Sequence, residues 1–304
     1  MRTIAILHSG SDNAEQRKQI KTFSDFLALL GYSEPKSLKI VGPCFADDDP
    51  AVLKTCADTL VKTANLDVLV AAGGTRSLEA AKAARGKSDL MIVFTSGSAP
   101  PSADARLTGV GALTAELDEQ RLVVLHELIG KPTKPSIGVL KNPTRPNAAV
   151  EWAQLSLAAA KLNVTLVPKD VTYSKNIKKD IDDAFAALKG QVSAILVTAD
   201  PLFNNRRKDV VAAAKDASTP TIYQWREFAE DGGLISMGTK LTQAYKMAAS
   251  YVGLILKNLD SGTNPGILKV LSPRTELVIN IKTAADLKME IPPMLLGRAD
   301  DLIT

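Results

Sequence analysis

The stretch Leu66-Asp-Val-Leu-Val-Ala-Ala-Gly-Gly-Thr75 indicates how this chain folds. Its short apolar run, rich in Val, is typical of a buried strand, and two glycines end the run where an amphipathic segment begins. A strand that passes through a tight turn into a helix is half of a βαβ unit, in which helices join parallel strands. The stretch therefore favours an α/β fold with parallel sheets.

The same alternation continues on either side of this stretch. Apolar runs predict strands near 3–7, 37–42, 67–72 and 90–95, and amphipathic segments predict helices near 13–31, 50–65 and 76–86. A second series predicts strands near 136–140, 164–168, 194–197 and 221–223, with helices near 147–162, 176–189 and 202–217. The two series indicate two similar α/β halves.

The length of 304 residues also favours two domains. We predict two Rossmann-like lobes with parallel sheets and a first boundary at Leu113 and Thr114. After Gly238 the sequence predicts a helix over 241–258, a strand at 276–280 and a last helix after Pro293. This tail is too small for a third domain, so we expect one lobe from 1–113 plus 239–268 and the other from 114–238 plus 269–304.

Composition narrows the class of protein. Apolar residues make up 45% of the chain and charged residues 23%, and the net charge of +4 comes from scattered Lys and Arg, which argues against a nucleic-acid partner. No apolar stretch is long enough to span a bilayer, and no signal peptide is evident at the start. The sequence thus predicts either a cytoplasmic protein or a mature exported form, periplasmic or lipid-anchored.

Cysteine and histidine are scarce. The two cysteines, Cys44 and Cys56, could form a disulfide, although buried free thiols are the interpretation that the sequence favours. With only His8 and His126, a Cys/His metal site is not expected. We predict no metal and no cofactor.

Polar loops mark the expected binding edge. In an open parallel sheet, ligands bind beyond the carboxyl ends of the strands where strand order reverses, which for the order 2-1-3-4-5 is between the first and third strands. The loops at these places are His8-Ser9-Gly10-Ser11-Asp12, Gly73-Gly74-Thr75-Arg76-Ser77, Lys141-Asn142-Pro143-Thr144-Arg145 and Thr198-Ala199-Asp200-Pro201. Each leads into a helix, whose N-terminal N–H groups suit a carboxylate or phosphate. We therefore predict a small polar ligand in a cleft between the lobes.

Each of these residues also has a purely structural interpretation. Thr75 and the serines Ser9 and Ser11 could be helix caps, and Asp200 before Pro201 has the pattern of an N-cap followed by N1. The functional alternative for Asp200 is a partner for a ligand amine. Arg76 at a helix start either pairs with an anion or is solvated.

Aromatic residues make up 5% of the chain, and several lie near this edge. The segment Tyr223-Gln224-Trp225-Arg226-Glu227-Phe228 follows the last strand predicted for the second lobe. Phe203, Tyr223 and Trp225 could wall the cleft and stack on a ligand, or could belong to the core.

Signs of catalysis are few. The phosphate-binding Gly-x-x-x-x-Gly-Lys motif, the Gly-x-Ser-x-Gly elbow and the dinucleotide-binding Gly-x-Gly-x-x-Gly motif are all missing from the sequence. The run Asp47-Asp48-Asp49 could suggest a metal, but before Pro50 it is more typical of a loop that caps a helix. The sequence therefore favours a binding protein over an enzyme.

Six segments together resemble the ABC-transporter substrate-binding proteins of the tryptophan/tyrosine type, which have the class I periplasmic-binding-protein fold. They are Leu66–Thr75, Ala194–Phe203, Pro220–Phe228, Gly232–Gly238, Glu276–Ala284 and Ile291–Asp300, in family order. The resemblance implies two lobes with three crossovers that close over an amino acid or related, possibly aromatic, carboxylate. It also implies delivery of that ligand to a membrane permease, and we expect a monomer.

By position, the resemblance implies ligand-lining residues on both lobes. They are Ser9, Ser11, Gly74, Thr75 and Ser96 in the first lobe and Asn142, Asp200, Tyr223 and Gly238 in the second lobe and hinge. With Arg76, Phe203 and Trp225 they form the predicted site. The alternatives are a cytoplasmic sensor or regulator of the same fold and an enzyme that uses the Gly73-Gly74-Thr75 turn for a phosphate.

Overall fold

The computed structural model describes residues 1–97, 104–111, 114–130, 133–145, 148–263, 268 and 270–304, with the backbone alone at 96, 97 and 114–116. The chain divides into two compact units. The first unit comprises Met1–Ala112 and Leu241–Pro273, and the second comprises Leu113–Lys240 and Arg274–Thr304. The boundary residue Leu113 lies outside the described residues.

Strands and helices alternate through most of the chain. The strands are β1 (Arg2–His8), β2 (Leu38–Phe45), β3 (Val68–Ala72), β4 (Met91–Gly97), β5 (Leu107–Gly111), β6 (Ser136–Lys141), β7 (Thr165–Asp170), β8 (Ala194–Val197), β9 (Thr221–Tyr223), β10 (Ile235–Thr239), β11 (Thr275–Asn280) and β12 (Asp301–Ile303). The helices are α1 (Ala14–Leu29), α2 (Pro50–Leu60), α3 (Thr75–Arg85), α4 (Thr114–Leu128), α5 (Ala148–Lys161), α6 (Ile177–Leu188), α7 (Pro201–Asn205), α8 (Arg207–Ala217), α9 (Arg226–Glu230), α10 (Leu241–Asp260), α11 (Ile281–Asp286) and α12 (Pro293–Arg298). The fold is thus of the predicted α/β class.

The sheet of the first unit has the order β2-β1-β3-β4-β5, and its strand pairs are parallel. Its central strands are apolar on both faces because α1 and α10 cover one face while α2 and α3 cover the other. The strand β5 is absent from the sequence prediction, since its Leu-Thr-Gly-Val-Gly sequence is short and rich in glycine. The order places the reversal point between β1 and β3, as expected.

The second unit repeats this order and extends it. Its sheet runs β12-β11-β10-β9-β8-β6-β7, so the five strands from β7 to β10 have the order 2-1-3-4-5. The strand β11 pairs with β10 in the antiparallel direction, and β12 follows it. The sequence does not predict β10 or β12 as strands, because polar residues and a glycine interrupt the Ile-Ser-Met-Gly-Thr run of β10 and because β12 is three residues long and begins with an acidic residue.

Two local predictions need correction. The helix predicted over 202–217 is divided at Arg206 into α7 and α8. The cysteines are wrongly predicted as free thiols: Cys44 on β2 and Cys56 on α2 form a disulfide, with their Cα atoms 5.9 Å apart. The packing of α2 beside the end of β2 brings the two side chains together, and no periodicity in the sequence reports that contact.

Candidate functional site

The first unit's predicted edge is held together by backbone hydrogen bonds. The loops after β1 and β2 are joined because Ala46 N donates to His8 O at 3.0 Å and Asp48 N donates to Ser9 O at 2.6 Å. The loop after β3 joins them because Ser9 Oγ donates to Gly73 O at 2.7 Å. Ser9 is fully buried. The two predicted ligand loops of this unit and the loop after β2 therefore form one continuous structure.

The two glycines of the Gly73-Gly74 turn are required by backbone geometry. Gly73 has φ of +87° and Gly74 has φ of +111°, a region that favours glycine. A Cβ on Gly73 would also lie 2.6 Å from Ser9 Oγ, which is too close. The glycines thus let the end of β3 approach the loop after β1.

The helix α3 begins differently from its neighbours α1 and α2. Asn13 caps α1 through its side chain, and Asp49 caps α2, as predicted for the run of aspartates. The N-cap of α3 is Gly74, which has no side chain to accept from the first N–H groups. Thr75 is the first helical residue, so its predicted structural role as the N-cap is wrong.

The half-buried Arg76 lies in the first turn of this helix. The turn contains no acidic residue, so a cation is added to the positive end of the helix dipole there. The N-terminus of α3 and Arg76 together favour an anion.

His8 plays a structural part beside this edge. Gly10 N donates to His8 Nδ1 at 2.9 Å, so Nδ1 is unprotonated and Nε2 carries the proton that points to Tyr245 Oη, 3.3 Å away. Burial lowers the pKa of His8 to about 4. The imidazole is therefore neutral near pH 7, and it ties the β1 loop to α10.

The structure describes the side chain of one further predicted residue of the first unit, Ser11, and not that of another, Ser96. Ser11 Oγ donates to Asp47 Oδ1, which links the β1 and β2 loops at a position nearer to solvent than Ser9. Ser96 lies in β4, but its side chain is outside the described residues. Among the described residues, no group of His, Cys, Asp and Glu is arranged to hold a metal ion.

At the second unit's edge, Asn142 and Asp200 are brought together from loops that follow neighbouring strands. Asn142 Nδ2 donates to Asp200 Oδ2 at 3.2 Å, and Asp200 Oδ1 accepts from Leu202 N at 2.7 Å as the N-cap of α7. Asn142 Oδ1 accepts from both N and Oγ1 of Thr144. Asp200 is only 3% exposed, so its charge is partly desolvated.

A buried charge network beside Asp200 was not anticipated from the sequence. Arg145 pairs with Glu151 and lies 3.9 Å from Asp200 Oδ2, and Asp118 pairs with Arg121 one turn along α4. Arg121 Nε also donates to Met237 O on β10 at 2.6 Å. Burial raises the pKa of Asp118, and Arg121 and Arg145 oppose this rise.

Among the described side chains, this network contains three acids (Asp118, Glu151 and Asp200) and two arginines (Arg121 and Arg145), so acidic groups outnumber basic ones. The i, i+3 spacing of Asp118 and Arg121 is a sequence signal for the pair. Nothing in the spacing shows that the pair is buried.

The aromatic residues separate into core and edge. Phe203 is 0% exposed, and Tyr223 stacks on Phe228 with ring centroids 4.8 Å apart, both inside one apolar cluster. Burial raises the pKa of the Tyr223 hydroxyl. Of the two roles that the sequence left open, cleft wall or core, the structure places Phe203 and Tyr223 in the core. Trp225, at the N-cap of α9, is half-buried and packs against the same cluster, so it is the least buried of the three.

Gly238 has a clear steric reason. A Cβ there would lie 1.6 Å from the carbonyl oxygen of Gln224, so β10 can pass the end of β9 only as glycine. This contact brings Gln224 against a predicted site residue. Within the described part of the chain, both Nε2 and Oε1 of the completely buried Gln224 side chain lack a hydrogen-bond partner.

A cavity of about 640 Å³ lies at the opposite edge of the second sheet, where β9 and β10 begin. It is lined by residues at the start of β9 and β10 and by α11, including Thr221, Leu234 and Thr283. Its polar side chains serve the fold: Thr283 Oγ1 donates to Gly232 O, and Asn280 Nδ2 donates to Ala229 O. Size alone therefore does not make it the candidate site.

Comparison with known proteins identifies close relatives of this fold. The sequence profile of a family described as ABC transporter substrate binding protein matches residues 4–303. A crystal structure of a conserved domain protein from Vibrio cholerae has 28% identity and a TM-score of 0.85, with 99% of each chain covered. Among curated proteins, no sequence matches the chain.

Two further solved structures contain ligands. The ABC domain from Streptococcus pneumonia in complex with L-Trp has 22% identity and a TM-score of 0.81, with 99% of each chain covered. A solute binding protein from Thermotoga lettingae in complex with 5-methylthioribose has 13% identity and a TM-score of 0.67, covering 97% of this chain and 95% of the other. These likenesses show a shared fold, that of class I periplasmic binding proteins.

Proposed function

The chain belongs to the family of ABC transporter substrate-binding proteins, and from this premise we propose that it binds an α-amino acid or a related small carboxylate. The family consists of solute-binding proteins, not enzymes. The chain is thus the component of an ABC transporter that carries a small molecule to the transporter's membrane proteins.

The observation that carries the proposal is the contrast in charge between the two predicted edges. The N-terminus of α3 is capped by glycine and followed by Arg76, which suits a carboxylate. Asp200 lies in a buried network with an excess of acid, which suits an ammonium group. An α-amino acid has both groups, whereas a neutral sugar has neither.

The contacting groups that we propose follow from this contrast. The ligand carboxylate would contact the N–H groups of α3 with Ser9, Ser11, Ser96 and Arg76 near it, and the ammonium group would contact Asp200. Trp225 would contact an apolar or aromatic side chain. Asn142 orients Asp200, and Gly238 lets the β10 backbone approach.

The disulfide supports a location outside the cytoplasm. Disulfides form and persist in oxidising compartments and are rare in the cytosol. Substrate-binding proteins of ABC transporters work outside the cytoplasm, and we propose a periplasmic or lipid-anchored location for this one. In the part of the chain that the structure describes, no helix is both long and apolar enough to cross a bilayer.

The proposal is tested by calorimetry and thermal unfolding with the twenty standard L-amino acids. Two uncharged sugars, D-allose and D-glucose, are tested in the same way for comparison. We expect an L-amino acid, and neither sugar, to raise the melting temperature, because a ligand that binds only the folded state stabilises it. Stabilisation by a sugar and by no amino acid would contradict the proposal.

The role of Asp200 is tested by Asp200→Asn, which keeps a capping side chain but removes the charge. The affinity for the best amino acid should fall tenfold or more, about 1.4 kcal/mol. Affinity for the same molecule without its amino group should change much less. Asp49→Asn, the same change at the N-cap of α2, is the matched control and should leave affinity unchanged.

A further inference from the structure

The Gln224 side chain is the strongest unexplained polar group at the second unit's edge. It directly follows β9, it is 0% exposed, and neither of its amide atoms has a hydrogen-bond partner among the residues that the structure describes. A buried amide without partners costs free energy on folding, and such a cost is typical of positions that serve function. No hydrogen bond to a described residue explains why an amide is present here.

The position of Gln224 links it to the candidate site. The strand order β6-β8-β9-β10 places the loop after β9 next to the loop that holds Asp200. The Gln224 carbonyl packs against Gly238, and Trp225 is the next residue. Gln224 thus lies among predicted ligand residues, although the sequence analysis did not select it.

The chemistry of the amide matches one class of ligand. Its oxygen accepts hydrogen bonds and its nitrogen donates two, from adjacent positions. The ammonium group of an α-amino acid donates and the carboxylate accepts, also from adjacent positions. One glutamine can therefore accept from the ammonium beside Asp200 and donate to the carboxylate.

We propose that Gln224 contacts the ligand and determines specificity for the paired ammonium and carboxylate groups of an α-amino acid. This inference rests on the proposed function and adds a residue and a selection rule to it. Gln224 selects for both groups together, so molecules that lack either one bind more weakly.

The test compares Gln224→Leu with Gln154→Leu as a matched control. Gln154 also has a buried Oε1 without a partner among the described residues, but it lies in the middle of α5 and not in a loop at the strand ends. For the best L-amino acid found for the wild type, Gln224→Leu should lower the affinity at least tenfold in calorimetry. Its stability without ligand should be equal to or above that of the wild type, because an unsatisfied amide has been removed. Gln154→Leu should keep the wild-type affinity.

A second variant, Gln224→Glu, is expected to change which ligand is preferred, a result that misfolding would not produce. Gln224→Glu keeps the size and an acceptor but replaces the donor with a negative charge. It should lose affinity for the amino acid and bind the corresponding amino-acid amide, which has no carboxylate, at least as well as the wild type does. The N-acetyl derivative, which has no ammonium, should bind weakly to both.

The outcomes separate this inference from the proposed function. If no amino acid binds the wild type, the proposed function fails and the inference fails with it. If the wild type binds an amino acid and Gln224→Leu binds it within twofold, only the inference is overturned. An unchanged preference of Gln224→Glu between the acid and its amide would overturn it as well.

Discussion

The two sheets share the strand order 2-1-3-4-5. They differ in the contacts that hold the loops at the carboxyl ends of their strands. In the first unit, small residues and backbone groups join the loops, as in the contact of Ser9 with Gly73. In the second, buried charged side chains surround Asp200, including Arg145 and Glu151. The same topology can therefore present either a helix N-terminus that attracts anions or an acidic group that attracts cations.

The largest expected effect comes from breaking the charge network of the second unit. Arg121→Met leaves Asp118 as a buried acid without its main partner, and such a loss costs about 3–5 kcal/mol of unfolding free energy. Urea denaturation measures it. The double variant Arg121→Met with Asp118→Leu should recover much of the loss, since no lone charge is then buried. A single variant within about 1 kcal/mol of the wild type would show that this edge does not depend on the pair.

Removing the disulfide tests what else holds the first unit. Replacing both Cys44 and Cys56 with serine releases a loop of 12 residues, for which about 2–4 kcal/mol of stability is typical. A reducing agent should lower the melting temperature of the wild type to about that of the double variant and should leave the melting temperature of the double variant unchanged. An equal response of both proteins to the reductant would contradict this expectation.

The buried His8 predicts a pH dependence that belongs to the first unit. Burial lowers its pKa from the ordinary 6.5 to about 4, so the unfolded chain binds a proton more readily than the folded one below pH 6.5. Stability from this group is complete above pH 6.5 and is lost as the pH falls towards 4. Between pH 7 and pH 5 the loss is about 2 kcal/mol.

Comparison with His8→Gln isolates this effect from other titrating groups. The unfolding free energy of the wild type should fall more steeply with acid than that of the variant across the same range. Parallel pH profiles would show that His8 does not stay neutral in the fold.

The smallest effect that we expect is the difference in stability cost between two glycine-to-alanine variants. This difference separates the cost of backbone strain from the cost of the steric contact at Gly73. Gly86, the C-cap of α3, also has a positive φ, of +59°, but a Cβ there would meet nothing within 4 Å. Gly86→Ala should therefore cost about 1–3 kcal/mol from backbone conformation alone. Gly73→Ala should cost about 1–2 kcal/mol more, because its Cβ would press on Ser9 Oγ. Equal costs in thermal unfolding would show that the loops accommodate a side chain there.

Much of the architecture could be predicted from local pattern. Central strands such as β1, β3 and β8 are short apolar runs, and their burial follows because parallel strands are covered on both faces. Signals for turns and caps, such as Asp49 before Pro50, are read from a few neighbouring residues. Strands such as β5 and β12 were not predicted because glycine or acidic residues interrupt their apolar pattern, and pairing with neighbouring strands forms them.

The candidate site divides in the same way. The α/β class and the polar loops at the strand ends could be predicted from the sequence, and most of the candidate ligand residues were proposed from it, because all of these depend on periodicity and on residue type within a few positions. Only the tertiary structure decided that Cys44 meets Cys56, that Tyr223 and Phe203 are core residues and that Gln224 is buried without a partner. Those outcomes depend on which side chains meet after distant segments pack, and desolvation at such contacts has no signature in the local sequence.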